Sequence, residues 1–359
     1  MGDGLKRHRW ITGLAVLVLL AALLALSRNR IHFDFGLFRS QLALADWRKI
    51  ALAVAYMYAC YIVRSIRWVW LLRHSRKVSF FPLLGAQIMG FAAVGLFGRV
   101  ADLTRPYLTS RKTGLPLTLQ IAVYVMERLF DFGLLALLFG SAIFLSHLHS
   151  EFLRNAALVA LSATLIGTVF LFALRLAGEA VASFFERIFT PMSKKFGLAA
   201  GHKLRTFHAG LGAMRSFSDF VVAVALSAGL WGLMAMAYFE TARAFIADRQ
   251  LSTINFWQCI PLLAISSGAS FIQLPILGWF SQIGIVAAGM SALLRVPASV
   301  STAWSATLLF VTLLSPVPAG LIWAQVEGIS LRKVTAESEH ATEDIDLDER
   351  PQMPRSLEP

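Results

Sequence analysis

Polar surface is what this chain lacks. Asp, Glu, Lys and Arg together make up 15% of its 359 residues against 57% for hydrophobic types, and mean hydropathy is +0.65. A water-soluble domain of this length needs more polar side chains than that, which excludes a soluble fold. Cysteine is nearly absent. Cys60 and Cys259 both fall inside apolar runs and form no CxxC, so neither a disulfide framework nor a zinc site is implied; as lone thiols they read as packing residues. The alternating ten-residue segments of a membrane β-barrel are missing as well. No HExxH, GxSxG, aspartate-rich metal motif or P-loop occurs, so no known catalytic signature is available.

Apolar runs near 20 residues are abundant. They imply an all-α polytopic membrane protein of about eight transmembrane helices plus at least one re-entrant segment, in two loosely related halves. The expected spans are 10–26, 50–72, 117–145, 156–176, 220–246, 256–274, 278–294 and 299–325. Lys6, Arg7 and Arg9 precede the first, which reads as an uncleaved anchor with its amino terminus in the cytoplasm; a cleaved signal peptide is the alternative. Whether 256–294 spans or re-enters stays open. Segment 81–98 is short, carries Gly85, Gly90, Gly95 and Gly98, and is flanked by bases on both sides. A full crossing would put the basic loop after it outside, against the positive-inside rule. A re-entrant hairpin fits better, because non-helical backbone is tolerated where protein or a wet cavity surrounds it.

The membrane domain is expected over 1–333. Its halves, about 1–177 and 219–333, are joined by a basic cytoplasmic connection, 178–218. Within that connection Val181, Phe184, Phe185, Ile188 and Phe189 form an apolar stripe suited to a membrane interface or to packing under the bundle. His147 and His149, spaced i, i+2, do not share a helix face and give no metal site. From Val334 onward eight acids face two bases, an acidic tail (334–359) expected to be disordered. Net charge is +12, and Lys and Arg concentrate on the segments predicted to be inside. This places the chain in a bacterial cytoplasmic (inner) membrane with both termini cytoplasmic. Attraction to anionic headgroups is a second use for the same bases. Nucleic acid is not a partner, because the bases sit in short loops between spans. A weak echo links the halves: "PLLGAQIMGFAAVGLFG" from Pro82 and "PLLAISSGASFIQLPILG" from Pro261 are both Gly/Pro-interrupted. Paired broken segments point to a transport site near mid-membrane.

Charge inside a span costs about 2.5–3.5 kcal/mol per residue, yet "YVMERLFDFGLLALLFG" holds Glu127, Arg128 and Asp131. Counted from Pro116, Glu127 lies 11 residues in, about 16 Å, close to mid-membrane. Glu127 and Asp131 share a face at i, i+4. Arg128 is placed to reach Asp131, and Glu127 lacks a partner on its own helix. Arg99, Arg105 and Arg111, with Asp102 among them, are the nearest bases in sequence. The expectation is a buried acid–base network in which Glu127 meets one of these three. Such a network could be a staple between helices, a cavity for a charged headgroup or a proton path.

"GRVADLTRPYLTSRKTGLPL" followed by "VMERLFD" resembles the membrane region of lysylphosphatidylglycerol synthases and their stand-alone flippase-like relatives. The residues that carry the likeness are Gly98, Arg99, Asp102, Arg105, Pro106, Tyr107, Arg111, Lys112, Gly114, Glu127, Arg128 and Asp131. A second signature is degraded in "LPILGWFSQIG", where Pro275 and Gly278 remain but Gln282 stands where a glutamate is usual. The resemblance implies a bundle with re-entrant segments that moves lipids, anionic or polyprenyl-linked, between leaflets, with no cofactor. About 26 residues follow the membrane region, so an aminoacyl-transfer domain is not implied. The site residues are then Arg99, Asp102, Arg105, Arg111, Glu127, Arg128 and Asp131, with Gly90, Gly95, Gly98, Pro275 and Gly278 shaping the backbone. Two other functions stay open: a membrane-embedded enzyme using Glu127 or Asp102 as general base, and a proton-coupled small-solute transporter.

Overall fold

The computed structural model describes residues 34–145, 151–191, 217–270 and 277–348, with isolated positions between 193 and 205; no strand occurs among them. The expected first span, His147 and His149, most of the connection after residue 191, and Pro275 lie outside the described residues. In chain order the helices are α1 (Phe35–Ala43), α2 (Trp47–Leu72), α3 (Phe80–Phe97), a 3-10 turn (Arg99–Leu103), α4 (Thr104–Thr113), α5 (Leu117–Leu145), α6 (Glu151–Phe189), α7 (Phe217–Arg243), α8 (Arg249–Ser252), α9 (Phe256–Ala269), α10 (Leu277–Leu294), α11 (Ala298–Leu309), a π turn (Phe310–Leu314), α12 (Pro316–Val326) and α13 (Leu331–Asp348). The polytopic all-helical class is as the hydropathy pattern implies. Trp47–Leu72, Phe80–Phe97, Ser218–Arg243 and Ala298–Val326 are each long and apolar enough to cross a membrane by length and composition.

Local chemistry sets the helix ends. Asp34 and Asp46 cap α1 and α2 by accepting the amides of Leu37 (2.9 Å) and Arg48 (3.0 Å). Asn255 and Gln258 form a reciprocal capping box on α9. The π turn falls immediately before Pro316, which has no N–H to carry the helical ladder onward; there the amide of Ser315 reaches back to the carbonyl of Phe310 at 2.8 Å.

Contacts at the helix ends fix which ends share a face of the bundle. Helices α2 and α7 run antiparallel. Asp219, at the start of α7, pairs with Arg73 and His74 beyond the end of α2. At the opposite face, the amide of Asp46 donates to Ala244 O (2.8 Å) and Lys49 Nζ to Arg243 O (3.1 Å). The Leu72 ends thus define one face and the Trp47 ends the other. Arg76, just past α2, donates to Thr113 O at the end of α4 (2.8 Å), and Lys112 bonds Glu327 just past α12 at 2.6 Å, so both helix ends belong to the Leu72 face. Helix α11 starts at the Trp47 face, beside α1, where Ser299 Oγ accepts the amide of Asp34 at 3.0 Å.

Within this frame α3 and α4 form a hairpin. Gly98 turns the chain with φ 78° and ψ −165°, a region that L side chains rarely adopt. Helix α4 then folds back so that the stem of Arg105 lies on Gly90, where a Cβ would collide with it. Both hairpin ends are at the Leu72 face, the chain reversal that a re-entrant 81–98 requires. Helices α9 and α10 make the second hairpin, from the opposite face. Ile265 packs where a Cβ on Gly289 would sit, and Gln282 donates to Ser266 (3.2 Å). At 14 residues α9 is about 21 Å long, too short for a hydrocarbon core of about 30 Å. Helix α9 follows the end of α7 and α10 leads into α11, so both outer ends of this hairpin lie at the Trp47 face.

Two further expectations change. The basic connection continues α6 as helix to Phe189, past a kink at Ala177 (φ −137°, ψ 44°); along its stripe Val181 and Phe185 are half-buried while Phe184 and Ile188 are exposed. The acidic tail is not disordered from Val334. Helix α13 runs to Asp348, burying Leu331, Val334, Thr335 and Ser338. Averaged acidity concealed this local stripe: Leu331 and Val334 pack with Ala86, Met89 and Leu108, and Thr335 bonds Thr104 at 3.2 Å.

Candidate functional site

The central core is apolar, with Ala53, Met57, Cys60 and Tyr61 of α2 against Leu230, Trp231 and Tyr238 of α7. Beside it lies a buried charged cluster where α2, α4 and α5 converge. Glu127 is wholly buried and receives Arg64, Arg67 (3.2 Å), Arg105 (3.2 Å) and the indole N–H of Trp68. Asp131 accepts from Arg67 (2.8 Å), Arg64 (3.4 Å) and Trp231 (3.4 Å). Arg67 also donates to Ser227 (2.5 Å) and Arg105 to Gln87 (3.1 Å). Glu127 therefore faces the bundle interior and meets Arg105, one of the three bases expected.

Helix periodicity explains the arrangement. Glu127 and Asp131 share one face of α5, and Arg64 and Arg67, at i, i+3, share the facing stripe of α2. Arg128, one residue on and about 100° round the helix, looks elsewhere. Instead of reaching Asp131 it pairs with Asp102 at 3.4 Å, a correction to the i−3 expectation. Asp102 is the second node: it also accepts from Tyr124 (2.6 Å), Arg99 (3.2 Å) and Arg105 (3.4 Å). Aromatic faces add cation–π support. Arg64 and Arg105 stand over Phe91 at 5.1 and 4.6 Å, and Arg128 over Tyr124 at 4.9 Å. Arg111 does not join the cluster. It lies at the bundle surface 3.4 Å from Glu337 of α13, because it sits in the last turn of α4, at the open end of the hairpin.

The tips of the two hairpins meet at this level. Arg99 donates to the carbonyl and hydroxyl of Ser270 at 2.8 and 2.6 Å, and Trp279 Nε1 donates to Gly95 O at 3.1 Å. Gly95 lets α3 approach the π turn, where a Cβ would lie 2.9 Å from Leu313 O. Gly278 is buried in the first turn of α10, next to Trp279. Gln282, a neutral side chain, donates to Ser266 across the second hairpin. Between the tips and α2, α5 and α7 lies a cavity of about 180 Å³, walled by Arg64, Arg99, Asp102, Arg128 and Asp131 on the charged side and by Ser266, Ser270 and Gln282 on the neutral side. Among the described residues no group of three or more His, Cys, Asp or Glu is placed to hold a metal ion.

Sequence reasoning missed Arg64, Arg67 and Trp68. The signal was present in "IVRSIRWVW": two arginines a helical turn apart inside an apolar span raise the same desolvation problem as Glu127.

The model of the lysylphosphatidylglycerol synthase transmembrane region matches residues 10–320. No curated protein and no solved structure matches the chain. The chain belongs to the lysylphosphatidylglycerol synthase transmembrane-region family, a membrane protein family associated with lipid handling.

Proposed function

We propose that this family member is a lipid translocase that moves an anionic phospholipid or lipid-linked headgroup between leaflets through the cavity where its two hairpins meet. The observation that carries the reading is the placement of Arg64, Arg99 and Arg128 on the wall of one cavity, each held by a buried carboxylate. Arginine suits phosphate oxygens through paired N–H donors. Buried pairing with Glu127, Asp102 and Asp131 holds the guanidinium groups in place before a headgroup arrives. The two hairpins meet beside the cavity, so parting them would widen access to it. The Leu72 face, with Arg73, Arg76, Lys77, Arg111 and Lys112 at or beyond its helix ends, fits the cytoplasmic side of an inner membrane, which puts α13 inside. The chain acts as a transporter rather than an enzyme in this reading.

Reconstitution with fluorescent phospholipids tests it. Wild type accelerates lipid movement, and Arg128→Ala and Glu127→Ala, checked for correct folding, slow it at least tenfold. No acceleration by wild type, or equal movement by folded variants, counts against translocation. Conversion of a candidate lipid to a new mass would point to an enzyme instead.

A further inference from the structure

The charges in the cluster do not balance. Arg64, Arg67, Arg99, Arg105 and Arg128 bring five guanidinium groups to three carboxylates, Asp102, Glu127 and Asp131. Every carboxylate already serves at least two of these arginines, so the named residues carry an excess of two positive charges. A buried charge left without its counter-charge costs several kcal/mol. Arg64, Arg99 and Arg128 line a cavity with room for roughly six waters, so the excess of two charges stands beside a space large enough for an anionic group.

Resting on the reading that this cavity receives a lipid headgroup, we infer that its preferred cargo carries a dianionic phosphate, a phosphate monoester or diphosphate on a lipid, and that aminoacylated, cationic headgroups are excluded. A phosphate monoester has a charge near −2 at neutral pH and three strong acceptor oxygens, which matches the charge excess on the cavity wall. A phosphodiester supplies one charge and leaves one arginine uncompensated. A lysyl ester adds ammonium groups to a site already too positive. The second hairpin offers such a group no counter-charge: among the described residues its contribution to the wall is Ser266, Ser267, Ser270 and Gln282, with no carboxylate.

The test uses the full chain in nanodiscs of zwitterionic phosphatidylcholine, doped in turn with phosphatidic acid, phosphatidylglycerol and lysyl-phosphatidylglycerol, with bound lipid counted by native mass spectrometry. At pH 8 phosphatidic acid is retained at least tenfold over phosphatidylglycerol, and the lysyl ester no better than phosphatidylcholine. At pH 5, where the monoester gains a proton, the preference for phosphatidic acid collapses toward that for phosphatidylglycerol. Arg128→Gln, which halves the excess, narrows the tenfold ratio, while the pH arm needs no variant. Equal retention of phosphatidic acid and phosphatidylglycerol at pH 8, or preferential retention of the lysyl ester, overturns the inference and leaves anionic-lipid translocation standing. Displacement of phosphatidic acid by an equal concentration of inorganic phosphate overturns the lipid-borne source. No lipid retained above phosphatidylcholine defeats the translocase reading itself.

Discussion

The two hairpins are built alike and charged differently. The first, α3 with α4, carries Arg99, Asp102 and Arg105 at and just past its tip; the second, α9 with α10, presents Ser266, Ser270, Trp279 and Gln282. The charged hairpin is bound into the bundle by ion pairs to α5, whereas the described contacts of the neutral tip to the first hairpin are hydrogen bonds alone. Breaking a buried ion pair by removing one partner costs about 3–5 kcal/mol, whereas the neutral bond from Trp279 contributes about 0.5–1.5 kcal/mol and each bond from the Arg99 guanidinium about 1.5–3 kcal/mol. Under the proposed translocase reading, headgroup binding falls to the first hairpin and movement to the second.

The largest expected effect comes from removing the counter-charge at the root of the first hairpin. Glu127→Gln leaves Arg64, Arg67 and Arg105 short of a shared carboxylate, a loss of about 3–5 kcal/mol, read as a fall in thermal stability in detergent and in folded yield. Next is Gly98→Ala. The φ of 78° and ψ of −165° at Gly98 make this substitution cost about 1–3 kcal/mol, and it misplaces Arg99 and Arg105 together. Lipid movement should fall further than melting temperature does; normal transport would show that the turn geometry is dispensable.

On the neutral hairpin the effects are smaller and of another kind. Trp279→Phe removes the hydrogen bond to Gly95 O, worth about 1 kcal/mol. It should change the rate of lipid movement with little change in lipid retention, as expected of a gate. Reduced retention at an unchanged rate would reverse the roles of the two hairpins. Smallest is Glu337→Gln, which weakens the pairing with Arg111 at the bundle surface, within about 0–1 kcal/mol. Melting temperature and transport should both stay near wild type.

Much of this was legible beforehand. The chain reversal after 81–98 followed from its glycines and flanking bases, and Glu127 meeting Arg105 followed from the cost of a lone carboxylate within a span. Other parts depended on facts that sequence spacing does not carry. Arg128 stands close to Asp131 in sequence, but helix phase turns it to Asp102. Arg64 and Arg67 were overlooked because a search outward from Glu127 along the chain never reaches α2, which tertiary packing alone brings beside α5. Arg111 shares a motif with Arg105 but sits nearly two turns further along α4, at the surface. The tail misled through its composition, since four inward positions suffice to dock α13 whatever the acidity of the rest.

Photo-crosslinking tests the central claim most directly. A phospholipid with a diazirine beside its phosphate is activated in vesicles holding the full chain, and the adducts are mapped by peptide mass spectrometry. The account predicts labelling of the cavity wall from both sides, at Tyr61 and Phe91 near the arginines and at Ser267 near the neutral tip, reduced by Arg128→Gln. Adducts confined to outward residues such as Ile166, Val169 and Phe280, with the cavity wall unlabelled, would contradict it.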